Sequence, residues 1–311
     1  MSRIDNVGIS QLPDGEPNKN QTPEGGEAFV SGSQFRLIVQ TFLENKLAVV
    51  GLGLVVVAVV FCFIGPLLYH TNQVNTSYNI NQPPGNGHPL GTDQNGYDVL
   101  GRLMLGGQSS LEIGFSVAII ATTFGVAWGA VSGFIGGFVD TLMMRIVDTF
   151  LAIPTLLLLI YLAAVFKPTL GLLIVVISAV SWLSPARLIR GEALTLRVRD
   201  YVKAVRVMGG GSGRIVLRHI IPNAVGTIVV NATFQIADAI LIMALLSYLG
   251  LGLPPPAANW GGMLSDGVNY VYDGYWWLIY PAGLAIILTV VAFNLIGDAI
   301  RDSLEVRLQK R

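Results

Sequence analysis

Six long apolar segments constrain the fold of this chain more than any other feature. About 20 apolar residues are enough to cross the hydrocarbon core of a bilayer, which is about 30 Å thick. The third and fourth segments are separated only by Lys167 and Pro168. Read with their flanks, the segments are 47–69, 111–133, 146–166, 169–187, 223–250 and 276–298. The sequence therefore predicts an all-α membrane protein with six transmembrane helices.

The composition supports this prediction and excludes several kinds of site. Hydrophobic residues make up 52% of the chain and charged residues only 12%, whereas a soluble domain carries about 25% charged residues. The single cysteine, Cys62, lies inside an apolar segment and cannot form a disulfide within the chain. Because no Cys/His cluster has the spacing of metal ligands, we expect no structural zinc, no bound metal and no redox chemistry.

The positions of the basic residues predict the orientation. With six spans and the N-terminus inside, only Arg102 and Lys167 of the 19 Lys and Arg residues fall in outer loops. Basic residues favour the cytoplasmic loops of membrane proteins. Both termini are therefore expected in the cytoplasm. Fusing the third and fourth segments would place the most basic loop outside, so the charge bias also supports their separation.

That most basic loop, residues 187–222, is called the basic loop below. It contains a helix-like run, a glycine break at Gly209–Gly213, a second helix-like run and then Pro222, which we expect to end that run. Glycine ends helices without steric cost in the left-handed region. Its eight basic residues are Arg187, Arg190, Arg197, Arg199, Lys203, Arg206, Arg214 and Arg218.

The remaining segments complete the predicted organisation. Residues 1–34 are polar and lack apolar periodicity, which is typical of a disordered tail, here on the cytoplasmic side. Residues 35–46 have an apolar stripe at helical spacing, which predicts an amphipathic helix lying on the membrane surface. Residues 47–311 form the transmembrane domain. Its long outer loops, 70–110 and 254–275, either bind a partner or cap the helix ends.

Gly125, Gly129 and Gly133 recur every four residues in the second apolar segment and form a small-residue stripe on one helix face. In lipid, such stripes allow the backbones of two helices to approach closely. The partner helix belongs either to this chain or to a second membrane subunit, and the sequence alone leaves both possibilities open.

Few ionisable residues lie within the apolar segments. Asp238 and Glu112 are the clearest, and a carboxylate in a membrane is by default a functional hypothesis. Asp238 either lines a transport pathway, relays protons, or is paired or hydrated for structural reasons. Arg145 and Asp148 have the spacing of a local ion pair on a helix surface.

The sequence contains no recognisable catalytic machinery. A Walker A motif requires a Lys after a Gly, and no Lys here follows a Gly. No nucleophile, base and orienting residue can be grouped into a catalytic set. If transport is driven by ATP, we expect ATP and Mg²⁺ to bind to other chains, with no cofactor on this one.

Five runs of the chain resemble, in the same order, runs of the permease subunits of binding-protein-dependent ABC importers. The similarity is to the C-type subunit of the dipeptide, oligopeptide and nickel permease group. Ala204, Gly209 and Pro222 also resemble the family's cytoplasmic loop, E-A-A-x-x-x-G, nine residues, I-x-L-P. The five runs are LGTDQNGYDVLGRLMLGG (Leu90 to Gly107), GGFVDTLMMRIVDTFLAIP (Gly136 to Pro154), RHIIPN (Arg218 to Asn223), LSYLGLGLPPP (Leu246 to Pro256) and GDAIRDSLEVRL (Gly297 to Leu308).

The resemblance implies a type I ABC importer permease fold in a bacterial inner membrane. It also implies partners: a B-type permease, two ATP-binding subunits that hydrolyse ATP, and an extracytoplasmic substrate-binding lipoprotein. A coupling helix in Lys203 to Pro222 would sit in a groove of an ATPase. The residues that this implies for the ATPase-coupling loop are Asp200, Lys203, Ala204, Val205, Arg206, Gly209 and Pro222.

The chain departs from the family pattern at three positions. Lys203 replaces a glutamate and Val205 replaces an alanine. Met243 stands where many relatives have glutamate on a helix that lines the pathway. Met243 is therefore a candidate pathway residue together with Asp238. With Asp200 as N-cap, a glutamate at position 203 would complete a capping box, which lysine cannot do. We therefore expect an acidic residue in the ATPase groove that faces Lys203.

The leading functional interpretation is a non-catalytic permease subunit that imports peptides or a related solute. The alternative is an ion-coupled secondary transporter that works without an ATPase, with Asp238 and Glu112 as relay residues. Transport by this chain alone would favour the alternative.

Overall fold

The computed structural model describes residues 42–70, 79–85 and 87–309, and the side chains of 305–309 are not described. The predicted tail (1–34) and all but the end of the predicted surface helix (35–46) lie outside these residues. Within the described part the chain is helical and contains no strand, only isolated bridges between Gly85 and His88 and between Thr92 and Asp98.

Eleven α-helices of four or more residues organise the described part of the chain, and four of them are long and apolar enough to cross a membrane by themselves: α1, α2, α9 and α11. In chain order the helices are α1 (Lys46–Leu68), α2 (Val99–Ile135), α3 (Gly137–Leu151), α4 (Thr155–Val165), α5 (Leu170–Ser181), α6 (Leu183–Leu196), α7 (Asp200–Val207), α8 (Ser212–Ile215), α9 (Val225–Tyr248), α10 (Trp260–Val268) and α11 (Tyr280–Gln309).

Two further spans are possible as bent pairs. Helices α3 and α4 pass the same test of length and hydropathy together, with a bend of 78° between them, and α5 and α6 do so with a bend of 40°. Pro154 precedes α4, and a proline there cannot continue a helix from α3 without losing a backbone hydrogen bond. With several apolar spans among the described residues, the chain is a multi-pass membrane protein.

Helix α2 differs from its prediction. The apolar pattern predicts a span over 111–133 that follows an outer loop, 70–110, but the helix already begins at Val99. Asp98 starts it early, because its Oδ1 accepts a hydrogen bond from the backbone N–H of Gly101 at 2.7 Å. The 37 residues of α2 extend about 55 Å at 1.5 Å per residue, well beyond the hydrocarbon core. Similarly, the predicted loop 254–275 contains α10.

Helix α1 contains one π turn, Val60–Ile64. The side-chain amide of Gln108 on α2 donates a hydrogen bond to the carbonyl oxygen of Cys62 in this turn, at 2.8 Å. A π turn leaves backbone carbonyls out of the regular ladder, and here a neighbouring helix satisfies one of them. The contact joins α1 to α2 at the buried Cys62 side chain.

Three groups of buried apolar side chains form the core. One group lies among α2, α3, α4, α5, α6 and α9 and includes Leu173, Ile177 and Met243. The second joins α1, α2, α10 and α11 around Trp260, whose indole N–H donates to the carbonyl oxygen of Leu103 at 2.9 Å. The third lies beneath the basic loop and is described with the site.

Candidate functional site

The structure places residues 187–196 of the basic loop in α6, and residues 197–222 fold into a compact helical unit that we call the knuckle. Its first helix-like run is α7, which ends in a Schellman motif: the backbone N–H of Gly210 donates to the carbonyl of Val205 at 2.9 Å, and that of Gly209 donates to Arg206 at 3.1 Å. Gly209 has a φ of 82°, in the left-handed region. The expected glycine break is therefore a defined turn rather than a flexible linker, and Gly209 and Val205 form it.

The knuckle is anchored to the helices beneath it by buried side chains. Val202 of α7 is 0% exposed and packs in the third core group with Ile215 and Ile220 from the second run and Phe134 from the end of α2. The guanidinium of Arg206 lies over the Phe134 ring, 5.2 Å from its centroid. The position of α7 is thus fixed against α2.

The opposite side of the knuckle is exposed and apolar at its tip. Val207 is 88% exposed and Met208 is 77% exposed. We call these two residues the knuckle tip. The exposed basic side chains Arg206, Arg214 and Arg218 lie on the same turn-helix unit. Exposed apolar residues with a polar rim are typical of a surface that binds another protein.

The structure corrects the predicted start of α7. Arg199, not Asp200, is the N-cap and it makes no capping hydrogen bond with its side chain. Asp200 is the first residue of the helix, where a carboxylate is favourable beside the positive helix end. Lys203 pairs with it, with Nζ 3.3 Å from Oδ1, and both side chains are exposed, so the pair contributes little to stability. Ala204, next to Lys203, is exposed as well.

The structure also corrects the role of Pro222. The second run does not stop there: α8 leads into a π turn, Val216–Ile220, and a short helical turn, Ile221–Asn223, and α9 begins at Val225. Pro222 lies at the start of a helical turn, where its missing N–H is tolerated. Pro222 therefore does not end the helical path.

The glycine stripe packs within this chain, which resolves the choice left open by the sequence. Cβ atoms built on Gly125 and Gly133 would lie 2.7 Å from the carbonyl oxygen of Trp182 and 2.6 Å from that of Arg190. A Cβ on Gly129 would collide with the carbonyl of Ala186. The three glycines therefore let the backbone of α2 lie directly against α6 and the residue before it.

The two candidate pathway residues lie on different faces of α9. Met243 is 1% exposed and contacts the hydroxyl of Ser247 through its sulfur, whereas Asp238 is exposed. Asp238 belongs to a stripe that other described helices leave at least partly uncovered, at spacings of three and four residues along α9. Its members are Thr227, Asn231, Phe234, Asp238, Leu241, Leu245 and Tyr248.

One end of this stripe opens into a cavity of about 430 Å³. Thr227, Asn231 and Phe234 line it together with Leu188 of α6 and Arg301 of α11. Glu112, the other membrane carboxylate, is exposed on α2. The stripe and cavity give α9 a face that carries hydroxyl, amide and carboxylate groups.

Ion pairs between distant residues were not foreseen from the sequence. Asp148 pairs with Arg187 of α6, so the predicted local pair with Arg145 is wrong. Asp140, which is 8% exposed, accepts two hydrogen bonds from Arg190, at 2.6 Å from Nε and 2.7 Å from Nη2. Residues 50 positions apart carry no local signal of contact, so only the fold brings them together.

At the end of α1, Asp98 organises a polar cluster with groups from three segments. Besides capping α2, it accepts a hydrogen bond from the hydroxyl of Tyr69 at 3.1 Å and lies 2.8 Å from Nδ1 of His88. Burial and the neighbouring Asp98 carboxylate raise the pKa of Tyr69 to about 12. The cluster fixes the segment before α2 against the end of α1.

Asp93 also orders the segment before α2, through contacts within the segment and with α2. Its Oδ1 accepts hydrogen bonds from the backbone N–H groups of Asn95 and Tyr97, and its Oδ2 lies 3.3 Å from Nε of Arg102. Burial raises the pKa of the Asp93 carboxyl, although these contacts oppose the rise. The indole N–H of Trp277 donates to the carbonyl of Thr92 beside it. This segment is therefore an ordered layer packed on the helix ends.

Comparison with known protein families supplies an independent finding. Residues 125–310 match the family described as "Binding-protein-dependent transport system inner membrane component". Residues 33–84 match the one described as "N-terminal TM domain of oligopeptide transport permease C". The first match contains the whole basic loop, and the second contains α1.

Individual relatives agree with these matches. The chain is 39% identical to the oligopeptide transport system permease protein OppC of Bacillus subtilis over 270 residues, 86% of this chain and 88% of the relative. It is 37% identical to the dipeptide transport system permease protein DppC of the same organism over 268 residues, 86% of this chain and 84% of the relative. Identity to the oligopeptide transport system permease protein OppC of Escherichia coli is 37% over 267 residues, covering 85% and 88%.

Proposed function

The chain belongs to the family of binding-protein-dependent transport system inner membrane components, and on that basis we propose that it is the C-type permease subunit of a peptide importer driven by ATP. Relatives that are 37–39% identical to the chain are named as oligopeptide, dipeptide and putative peptide permeases, which supports peptides as the cargo. The chain itself is non-catalytic in this proposal.

The proposed topology has six spans, with both termini in the cytoplasm of a bacterium and the spans in its inner membrane. The four long helices supply four spans, and the pairs α3–α4 and α5–α6 supply the other two. Only Arg102 and Lys167 of the basic residues then face outward, in agreement with the positive-inside rule.

The knuckle is the observation that carries the proposal. It combines an exposed apolar tip with a rigid base, since α7 is fixed to α2 by Val202 and Arg206 and closed by the Schellman turn. A helix held in this way can receive a displacement from a partner and transmit it to the spans. We propose that α7 is the coupling helix and that an ATP-binding subunit holds the knuckle tip in a groove.

The complex would contain this chain, a related B-type permease, two ATP-binding subunits that bind ATP and Mg²⁺, and an extracytoplasmic lipoprotein that delivers the peptide. The exposed stripe of α9 would face the B-type permease across the translocation pathway. A carboxylate facing lipid is expensive, so the exposure of Asp238 supports a position facing water in that pathway.

The test is retention of the ATP-binding subunits during purification. Val207→Asp and Met208→Asp place a charge on the knuckle tip, and each is expected to release these subunits while the two permeases remain together. Tyr272→Asp is the matched control, because Tyr272 is 98% exposed but lies in the turn before α11. Equal retention by all three variants would contradict the proposed docking of α7.

Lys203 provides a more specific test of the same interface. Because its only ion pair among the described residues is an exposed one with Asp200, Lys203 is available to a partner, and we propose an acidic residue opposite it in the ATPase groove. Lys203→Glu should then lower transport-coupled ATP hydrolysis. Unchanged or improved coupling would refute this contact without affecting the rest of the proposal.

A secondary transporter acting alone is the second candidate, because Asp238 and Glu112 are both exposed carboxylates on apolar helices. The purified chain reconstituted without other subunits separates the two. Peptide uptake driven by an ion gradient in such liposomes would favour the second candidate. Uptake only when the B-type permease, the ATP-binding subunits, the binding protein and ATP are also present favours the importer.

A further inference from the structure

A bidentate ion pair joins α3 to α6, in which the side chain of Asp140 is 11% exposed and that of Arg190 is 35% exposed. Asp140 receives both hydrogen bonds from the Arg190 guanidinium and a third from the hydroxyl of Ser132 on α2. A bidentate arginine-carboxylate pair fixes orientation as well as distance. Three helices therefore meet at one carboxylate.

A further hydrogen bond connects this region to the residues between α6 and α7. The guanidinium of Arg197, one residue after α6, donates to the carbonyl oxygen of Gly133 at 3.0 Å. Gly133 in turn lies directly against the backbone of Arg190. Only three residues, Arg197 to Arg199, separate α6 from α7. A displacement of α7 must therefore act on α6 almost directly.

Both α3 and α6 are bent away from the helix that shares their span. α3 is set off from α4 by 78°, and α6 is set off from α5 by 40°. A bend therefore separates α3 from α4 and α6 from α5. The Asp140–Arg190 pair connects α3 to α6. Helices that are fixed to each other and joined to the rest of the chain by bends can move together as a rigid unit, with the bends as hinges.

We propose that Asp140 and Arg190 are positioning residues that make α3, α6, the coupling helix α7 and the end of α2 packed against them move as one unit about these two bends. The inference rests on the proposed function, because it assumes that an ATPase displaces α7. Without the pair, α6 would move with α7 but slide past α3, and the displacement would not reach the span that α3 and α4 form.

The experiment uses the complete complex, with both permeases, the ATP-binding subunits and the binding protein, in liposomes. Asp140→Asn removes the charge, and Arg190→Lys keeps it but removes the bidentate contact. Asp148→Asn is the control, because the Asp148–Arg187 pair joins the same two helices but its side chains are 48% and 55% exposed. Peptide uptake and ATP hydrolysis are measured in the same preparation.

We expect Asp140→Asn and Arg190→Lys to assemble and hydrolyse ATP while uptake per ATP falls about fivefold or more, the lower end of typical coupling between two sites. Asp148→Asn should remain near the wild type. A proportional fall in uptake and hydrolysis would indicate a purely structural role and overturn the proposal. If Asp140→Asn fails to assemble, Arg190→Lys decides, and unchanged uptake per ATP in that variant overturns it too.

A distance measurement gives a readout that lost stability alone would not produce. Spin labels at Phe138 on α3 and Leu188 on α6, which are 80% and 43% exposed, are placed in a Cys62→Ala background. The wild-type distance should be the same with and without ATP, whereas Asp140→Asn should make it depend on nucleotide. A nucleotide-dependent distance in the wild type would refute the rigid unit. Failure of the wild-type complex to bind or hydrolyse ATP would instead refute the proposed function.

Discussion

Replacing Gly129 by alanine is expected to push α2 away from α6. A Cβ at this position would collide with the carbonyl oxygen of Ala186 and would lie 2.9 Å from the backbone nitrogen of Arg190. Both obstacles are backbone atoms, which cannot rotate away as a flexible side chain can. Restoring an ordinary separation of 3.4 Å from the nitrogen alone requires the helices to part by about 0.5 Å, and the closer carbonyl oxygen requires a larger movement.

The expected loss of stability follows from two opposing contributions. Forcing an extra carbon into a packed interface costs about 1–3 kcal/mol, and a gap of about 0.5 Å removes about a quarter of the attraction between the facing atoms. Alanine regains about 0.5–1 kcal/mol because it restricts the unfolded chain more than glycine does. The net change for Gly129→Ala is therefore a destabilisation of up to about 2.5 kcal/mol.

The control is Gly53→Ala on α1, where a built Cβ meets nothing within 4 Å. That variant should be neutral or more stable by about 0.5–1 kcal/mol. Unfolding of the purified protein in mixed detergent micelles, followed by tryptophan fluorescence, compares the two. Trp128 and Trp182 report on this seam directly, since their ring centroids lie 5.2 Å apart. Equal stability of the two alanine variants would refute the argument that backbone contact sets the helix spacing.

Three further predictions follow from other buried groups. Val202→Ala should loosen α7 by about 2 kcal/mol, because Val202 is 0% exposed, and hydrogen exchange of the α7 amides should rise accordingly. Trp260→Phe leaves the carbonyl of Leu103 without its buried donor and should cost about 1–3 kcal/mol in thermal unfolding. Asp93 predicts a pH dependence: burial raises its pKa despite Arg102, so the folded state binds the proton more tightly than the unfolded state. The resulting stability is complete below the ordinary aspartate pKa of about 3.9 and is lost as the pH rises through the raised value. Asp93→Asn should abolish this slope in hydrogen exchange of the surrounding segment.

Features that depend on neighbouring residues could be predicted from the sequence. The apolar segments locate the four long helices α1, α2, α9 and α11 because hydrophobic length is a local property. Gly209 locates the end of α7 because a left-handed residue there is strongly restricted in type. The family was identified correctly from short runs of sequence. The glycine stripe was also visible, although its partner helix was not.

Features that depend on residues far apart in the sequence could not be predicted from it. Asp140 and Arg190 are joined by the antiparallel approach of two helices, and no periodicity encodes that pairing. Met243 and Asp238 differ in burial because the neighbouring helices cover one face of α9 and not the other. The early start of α2 depends on Asp98, which the apolar pattern does not register.

The close contact of α2 with α6 also has a consequence for biogenesis. Gly129 is synthesised 57 residues before Ala186, and at about 5–20 residues per second α2 waits about 3–11 s for its partner. During that time its backbone is internally satisfied, as a membrane requires, but its small-residue face is open to lipid and to other proteins. Nascent chains that end before Ala186 should therefore expose a recognition surface that the finished protein conceals.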